Sequence, residues 1–338
     1  MVREWDPRTA PSTEIEAILR TLNAVLAADL PDDPPWQPDT CREYLAATMP
    51  GERRVSWLAQ APGSAPDSTV LGAATILLFG DIGVLDILVH PAHRRSGIGR
   101  ALLAAAVRRA YAEGFGAVGA EVVGETPAVD FYQAHGFTCA FVEIRNVLRM
   151  SNVDWKVLDE MAEGLGSGYH LEYFPGGPPE HLYPAYAEAK ELVRDSYELG
   201  DLELRPSSYD ADRLAASLAT LHARGMRPYI VVGIHDATGK IAGLTEVVVP
   251  AQHPGRADQY DTVVVPPHRG YGLGRAMKAR MLLELRDAEP QLTEMQTWNA
   301  FENEPMLKVN SELGFVPDRQ WFEYEASVPE LARRLGVG

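Results

Sequence analysis

The segment 93-HRRSGIGRALL-103 returns later in the chain as 268-HRGYGLGRAMK-278. Each copy follows an apolar run and opens an alanine-rich pattern of helical period. Arg94 and Arg269 lie 175 positions apart, and the glycines that close the next helical pattern, Gly136 and Gly314, lie 178 apart. A spacing kept over two landmarks marks one domain present twice, since a solenoid needs more repeats at a shorter period. The 338 residues, 46% of them hydrophobic, supply two ordinary cores.

The order of elements repeats as well. Periodicity predicts helices near 13–28 and 39–48, strands near 54–60, 70–79 and 83–89, then a helix from the first turn to about Glu113. A strand over 117–123, a helix from Pro127 to about Ala134 and two closing strands to about Met150 complete the first half. In the second, strands near 228–235, 241–249 and 260–265 lead into the repeated turn. A helix to about Asp287, a strand over 292–298, a helix from about 303 and a strand over 321–328 follow. The class is α/β (α+β). The glycine-rich piece 162-AEGLGSG-168 reads as a connection, which sets domains at 1–155 and 168–338 with a linker at 156–167.

Glycines at a strand-to-helix junction let the backbone fold so closely that several N–H groups aim at one point, and the helix dipole adds partial positive charge there. Such a turn suits phosphate, and arginines at its mouth add forked donors, so a pyrophosphate is the expected guest. Neither copy carries the Lys-Ser/Thr of a P-loop. A dinucleotide turn needs a third glycine, where these copies have Leu102 and Met277.

The residues around the turn carry a resemblance. Each copy is similar to the pyrophosphate motif of the GNAT acetyltransferases, Arg/Gln-x-x-Gly-x-Gly/Ala, at Arg94-Arg95-Ser96-Gly97-Ile98-Gly99 and at Arg269-Gly270-Tyr271-Gly272-Leu273-Gly274. The acidic-x-x-Val strand before it falls on Asp86 and Val89, and on Asp261 and Val264. The downstream Asn-x-x-Ala-x-x-x-Tyr-x-x-x-Gly-Phe falls on Glu125, Ala128, Tyr132, Gly136 and Phe137, then on Asn303, Met306, Asn310, Gly314 and Phe315. The first copy lacks the Asn and the second lacks the Tyr. The doubled arrangement resembles the tandem GNAT proteins of the mycothiol-synthase kind.

That resemblance implies two tandem domains, each a mixed, mostly antiparallel sheet flanked by helices, with one splayed pair of parallel strands. It implies acetyl-CoA as acyl donor, with its pyrophosphate on Arg94 to Arg100 or on Arg269 to Arg275, Asn303 nearby, and its pantetheine along Leu88 and Val89 or Val264 and Val265. The acceptor is expected to be a small primary amine attacking directly. An alkylamine with a pKa of about 10.4 is neutral roughly once in 10³ molecules at pH 7, so a base matters most. Asp86 and Glu121 are the candidates in the first half, Asp261 and Glu246 in the second. Tyr132 matches the family's proton donor to the departing thiol, a role Asn310 cannot fill in the same way. The first half is therefore expected to perform transfer. Two alternatives stand beside this reading: a non-catalytic acyl-CoA-binding module in one or both halves, and an aminoacyl-tRNA-dependent transferase on the doubled scaffold.

Charge narrows the partners. The formal net charge of −16 opposes nucleic acid and anionic membrane, which need a basic face. No apolar run reaches a bilayer span and the start MVREWDP has no signal-peptide core, so a cytoplasmic protein is expected, as a monomer or homodimer. The excess of arginine over lysine suggests a GC-rich bacterial genome. Cys41 and Cys139 form no C-x-x-C pair and are read as buried, inert thiols, and no His/Cys/Asp spacing suggests a metal. His93 and His268 are expected at the loop surface, and Trp298 and Tyr324 in the core.

Overall fold

The apolar run 72-GAATILLF-79 forms a strand whose residues turn one by one into and away from a core. The computed structural model describes every residue except 39, 40, 50, 62, 64, 66, 67, 81, 195–209 and 302. The elements begin with β1 (Val2–Trp5), α1 (Ser12–Asp29), α2 (Cys41–Ala46), β2 (Arg53–Ala59), β3 (Gly72–Phe79) and β4 (Ile82–Val89). There follow α3 (Ile98–Ala112), β5 (Ala117–Val123), α4 (Pro127–His135), β6 (Thr138–Arg149), α5 (Trp155–Glu163) and β7 (Tyr169–Pro175). Next come α6 (Tyr183–Arg194), α7 (Ala211–Ala223), β8 (Met226–His235), β9 (Lys240–Pro250) and β10 (Arg256–Val264). The chain closes with α8 (Leu273–Ala288), β11 (Glu294–Ala300), α9 (Glu304–Leu313), β12 (Val316–Ser327) and α10 (Val328–Leu335).

Two compact units result. The first takes Met1–Val142 together with Gln320–Gly338. Its strands run β1-β2-β3-β4-β5-β12, antiparallel at each step except β4–β5. Leu102, Leu103 and Ala106 of α3 pack on Val118, Ala120 and Val122 of β5, and Val328 and Leu331 of α10 join the same core. The second unit takes the described chain from Glu143 to Arg319. Its strands run β6-β11-β10-β9-β8-β7, antiparallel except β10–β11. Here Met277, Met281 and Leu285 of α8 pack on Val231, Val247 and Met295.

Several elements differ from expectation. The two strands expected before Met150 are one, β6, which belongs to the first unit through Val142 and to the second from Glu143. Most of the expected linker is helix α5: Trp155, Leu158, Met161 and Ala162 fall on one helical face against the core, the helix ends at Gly164, and Leu165 beyond it packs on the same core. Sequence order also misassigns the closing strand, because β12 pairs with β5 from Trp321↔Val123 to Ser327↔Ala117. The helix expected over 39–48 forms at Cys41–Ala46, and its first two expected residues lie outside the described ones. Cys41 is buried, and desolvation pushes its thiol up to about 11. Cys139 is exposed, contrary to its reading as a core thiol; it lies near the start of β6 and donates to the Phe141 carbonyl at 3.3 Å.

Candidate active site

The chemistry of the first unit begins where two strands part. β4 and β5 pair in parallel from Ile82↔Ala117 to Leu85↔Ala120, and the ladder then stops. Asp86–Val89 and Glu121–Val123 continue on diverging lines, which leaves unpaired backbone in the opening and places Leu88 and Val89 on its wall. Leu85 and Ala120 turn into the core, so their neighbours Asp86 and Glu121 turn to the opposite face. There Asp86 stands opposite Thr75, and Thr75 lies 3.0 Å from Ser56, oxygen to oxygen. Asp86 is reached by solvent through the opening, yet protein crowds it closely; desolvation raises its carboxyl above the ordinary range and the Arg54 charge pulls it back. Glu121 faces Glu323 across β5 and β12. Arg54 donates to the Leu45 carbonyl at 2.9 Å and, with Ser56, lines a cavity of about 440 Å³ on that side.

Tyr132 of α4 is 4% exposed, with Phe131 and Phe137 edge-on and Tyr324 parallel to its ring at 6.3 Å. Burial and the negative charge of Asp86 both raise its phenol, so it stays protonated through the physiological range. A group held in that state carries a proton to offer and cannot act as a base. The structure thus brings Tyr132 and Asp86 within electrostatic reach of each other. Tyr324 is core, as expected.

Both glycine turns have the same backbone. Gly97 and Gly272 cap α3 and α8 at φ 83° and 81°, and neither helix has a side-chain cap. A Cβ on either would meet nothing within 4 Å, so the space before the amides is open and the positive φ is what calls for glycine. Asp154, Asp210 and Asn303 cap α5, α7 and α9, whereas α1, α4 and α10 also lack a side-chain cap, so it is the open glycine turn that sets α3 and α8 apart. Uncapped N–H groups of Ile98, Gly99 and Arg100, and of Leu273, Gly274 and Arg275, facing open space fit a diphosphate. Gly99 has a second task, since a Cβ there would sit 3.1 Å from the Phe131 ring. One step earlier than the capping glycines' serine and tyrosine neighbours, Arg95 holds φ 62° where the other copy has Gly270 at 85°.

The arginines divide differently from the sequence reading. Arg94 forms a bidentate pair with Asp29 of α1 at 2.8 and 2.6 Å and donates Nε to the Val89 carbonyl at 3.2 Å. Its charge is neutralised and its fork ties the loop to the strand end, so it is not the phosphate clamp expected. Arg269 repeats the Nε contact, to Val264 at 3.1 Å. In the first unit Arg95 and Arg100 are exposed and, among the described residues, have no carboxylate partner. Ser96 donates to the His93 carbonyl at 2.5 Å. Arg275 lies 3.6 Å from Glu312. Asn303, expected at the cofactor, accepts from the Met306 amide as the cap of α9.

The second unit opens in the same way and is furnished differently. β10 and β11 pair only from Arg256↔Glu294 to Asp258↔Gln296, and β10 bulges between Gln259 and Thr262. The two expected bases are committed, since Lys190 Nζ lies 2.7 Å from Glu246 and 2.8 Å from Asp261, and the Tyr186 hydroxyl also donates to Glu246. Around the loop, Tyr169 bonds His268 at 3.0 Å and packs against Tyr271, while Val265 is buried. Burial and nearby His235 lower His268. Beneath the opening, Lys278 Nζ donates to Asn310 Oδ1 at 2.6 Å, and Asn310 Nδ2 donates to Asn299 Oδ1 at 2.6 Å. Sequence reasoning passed over Asp29, Arg54, Lys190 and Lys278. For Lys278 a signal existed: it sits within the stripe Gly274, Lys278, Leu282, Leu285, otherwise free of charge.

The two units repeat one scaffold, an uncapped glycine turn that opens a helix beside a parting pair of parallel strands. The model of the acetyltransferase (GNAT) family matches residues 22–137. A mycothiol acetyltransferase of Paenarthrobacter aurescens (strain TC1) is 25% identical over 318 residues, 91% of each chain. A solved tandem GNAT protein from the clavulanic acid biosynthesis pathway superposes with a TM-score of 0.80 at 26% identity, over 97% of this chain and 98% of that one. A GCN5-related N-acetyltransferase from Sphaerobacter thermophilus shares the fold at 16% identity, with a TM-score of 0.65 over 97% of this chain and 95% of that one. Residues 22–137 thus carry a GNAT acetyltransferase domain, and the chain as a whole shares the fold of a tandem GNAT protein. Among the described residues no helix is long and apolar enough to cross a membrane, and no group of His, Cys, Asp and Glu has metal-binding geometry.

Proposed function

We propose that the protein is an acetyl-CoA-dependent N-acetyltransferase of a small primary amine, and that transfer occurs in the first unit. The observation that carries this is Tyr132, a phenol kept protonated within electrostatic reach of Asp86, whose own carboxyl is raised at the parting of β4 and β5. Acetyl-CoA supplies the activated acyl group as a thioester. The amides at the start of α3, with Arg95 and Arg100, hold its diphosphate. A backbone N–H of the parted strand at Leu88 or Val89 polarises the thioester carbonyl, a contact worth about 3 kcal/mol where charge develops on oxygen. Asp86, directly or through water, takes the proton of the incoming ammonium, and its raised affinity suits that task. Glu121 adds negative charge on the same face, favouring a cationic acceptor. Tyr132 gives its proton to the departing thiol. The committed state of Glu246 and Asp261 supports transfer in the first unit and not the second.

The test is thiol release from acetyl-CoA across a panel of small amines, with Tyr132→Phe and Asn310→Ala made separately. Tyr132→Phe is expected to lower turnover about 10- to 100-fold with little change in CoA affinity. Unchanged turnover in Tyr132→Phe with collapse in Asn310→Ala would move the active site to the second unit, and heat of binding without free thiol for any amine would make the protein a binding module.

A further inference from the structure

The second unit holds a buried cation that transfer in the first does not use. Lys278 is 2% exposed, and among the described residues its ammonium meets no carboxylate, only Asn310 Oδ1 at 2.6 Å and the face of Phe315 at 5.2 Å. An unpaired buried ammonium is costly, and desolvation lowers its proton affinity to about 7. Its place is informative. Lys278 follows the last loop glycine, Gly274, by four residues, as Leu103 follows Gly99. Asn310 precedes Gly314 by four, as Tyr132 precedes Gly136. Asn299 is the sixth residue of β11 and Val122 the sixth of β5, both strands beginning on the residue paired in the parallel ladder. Leu103, Tyr132 and Val122 are packed together in one core; their counterparts form the chain Lys278–Asn310–Asn299. The longer lysine and shorter asparagine deliver a positive charge to the α9 position that in the first unit carries the phenol. Two amides fix its direction, because Asn310 presents its oxygen to Lys278 and its nitrogen to Asn299.

We propose that the second unit is a binding site for the free-thiol form of coenzyme A, with Lys278 as the counter-cation of the thiolate and Asn310 as the amide that aims it. A thioester sulfur carries no charge to pair with Lys278, so this unit discriminates the product of transfer from the donor. With Glu246 and Asp261 held by Lys190, neither carboxylate is left to act as base there, and the site binds without turning over. The inference rests on the proposed function, in which CoA is the ligand of these loops.

The experiment is calorimetric titration of the full chain in an Arg95→Glu/Arg100→Glu background, which repels diphosphate from the first loop. CoA, acetyl-CoA and desulfo-CoA are compared, with and without Lys278→Met. CoA is expected to bind about tenfold tighter than the other two, and Lys278→Met to remove that preference while leaving desulfo-CoA affinity unchanged. Equal affinity for CoA and desulfo-CoA, a preference that survives Lys278→Met, or no binding at all in this background overturns the proposal. Removing a buried charge leaves folding intact, and Lys278→Gln checks this with a polar side chain. Amine-dependent turnover in the parent protein with no thiol preference here sinks this proposal alone; absence of both turnover and CoA binding in the parent sinks the proposed function with it.

Discussion

Arg95 offers a direct measure of what the first glycine turn does. It holds φ 62°, a left-handed backbone that costs a non-glycine residue about 1–2 kcal/mol, while the second copy places Gly270 there at 85°. Arg95→Gly relieves that cost and gives back about 0.5–1 kcal/mol in unfolded-chain entropy, so the net gain should be near 0.5–1 kcal/mol. For a unit of this size that is about 1–4 °C in Tm. The same change deletes an exposed guanidinium from the mouth of the diphosphate site. A charge-assisted hydrogen bond contributes about 1.5–3 kcal/mol, and solvent exposure brings this to roughly 1–1.5, or about tenfold in Kd. Thermal unfolding with CoA titration at low and high salt reads both effects. Stability should rise as affinity falls, and the salt dependence of binding should shrink. A variant that gains stability yet binds CoA as before, with the same salt dependence, refutes the assignment of Arg95 to the diphosphate. Gly270→Arg in the second copy should do the reverse on both counts.

Three further outcomes follow from the same geometry. Glu125 also sits at φ 61°, so Glu125→Gly should stabilise by about 0.5–1 kcal/mol in denaturant unfolding, and a loss would mean its side chain has an uncounted partner. Lys278 is pushed from 10.5 to about 7, so between those values the unfolded chain binds a proton that the folded one lacks. Stability should therefore rise with pH at about 1.4 kcal/mol per unit from pH 7 upward, and Lys278→Met should flatten that slope; equal slopes in both proteins would contradict the buried position. Breaking the partly buried Arg94–Asp29 fork with Asp29→Ala should cost about 1–2 kcal/mol in thermal unfolding, and a neutral result would show that the loop is anchored elsewhere.

The sheet strands and turns near the repeated motif were legible because short apolar runs such as 72-GAATILLF-79 and the glycine turns at Gly97 and Gly272 are local signals. Tyr132 was legible only through the resemblance to the family motif, which sets a tyrosine four residues before Gly136. The partner of Arg94 was not: Asp29 lies 65 positions away, and only the packing of α1 against the loop brings the two together. Helix α5 was hidden because three glycines at 164, 166 and 168 drew attention from the apolar face at Trp155, Leu158 and Met161. Lys190 holds Glu246 and Asp261 from α6, 56 residues before the first of them, so no motif around the strands could announce that those carboxylates were spoken for.

Because the last strand and helix of the polypeptide complete the core begun by its first, a chain cut near residue 155 would leave β5 with an open edge and strip Val328 and Leu331 from beneath α3. Duplicated genes commonly stay separable, each copy free to drift or be lost. Here the halves have become hostages to one another, since losing β12 would also take Tyr324 away from the ring of Tyr132.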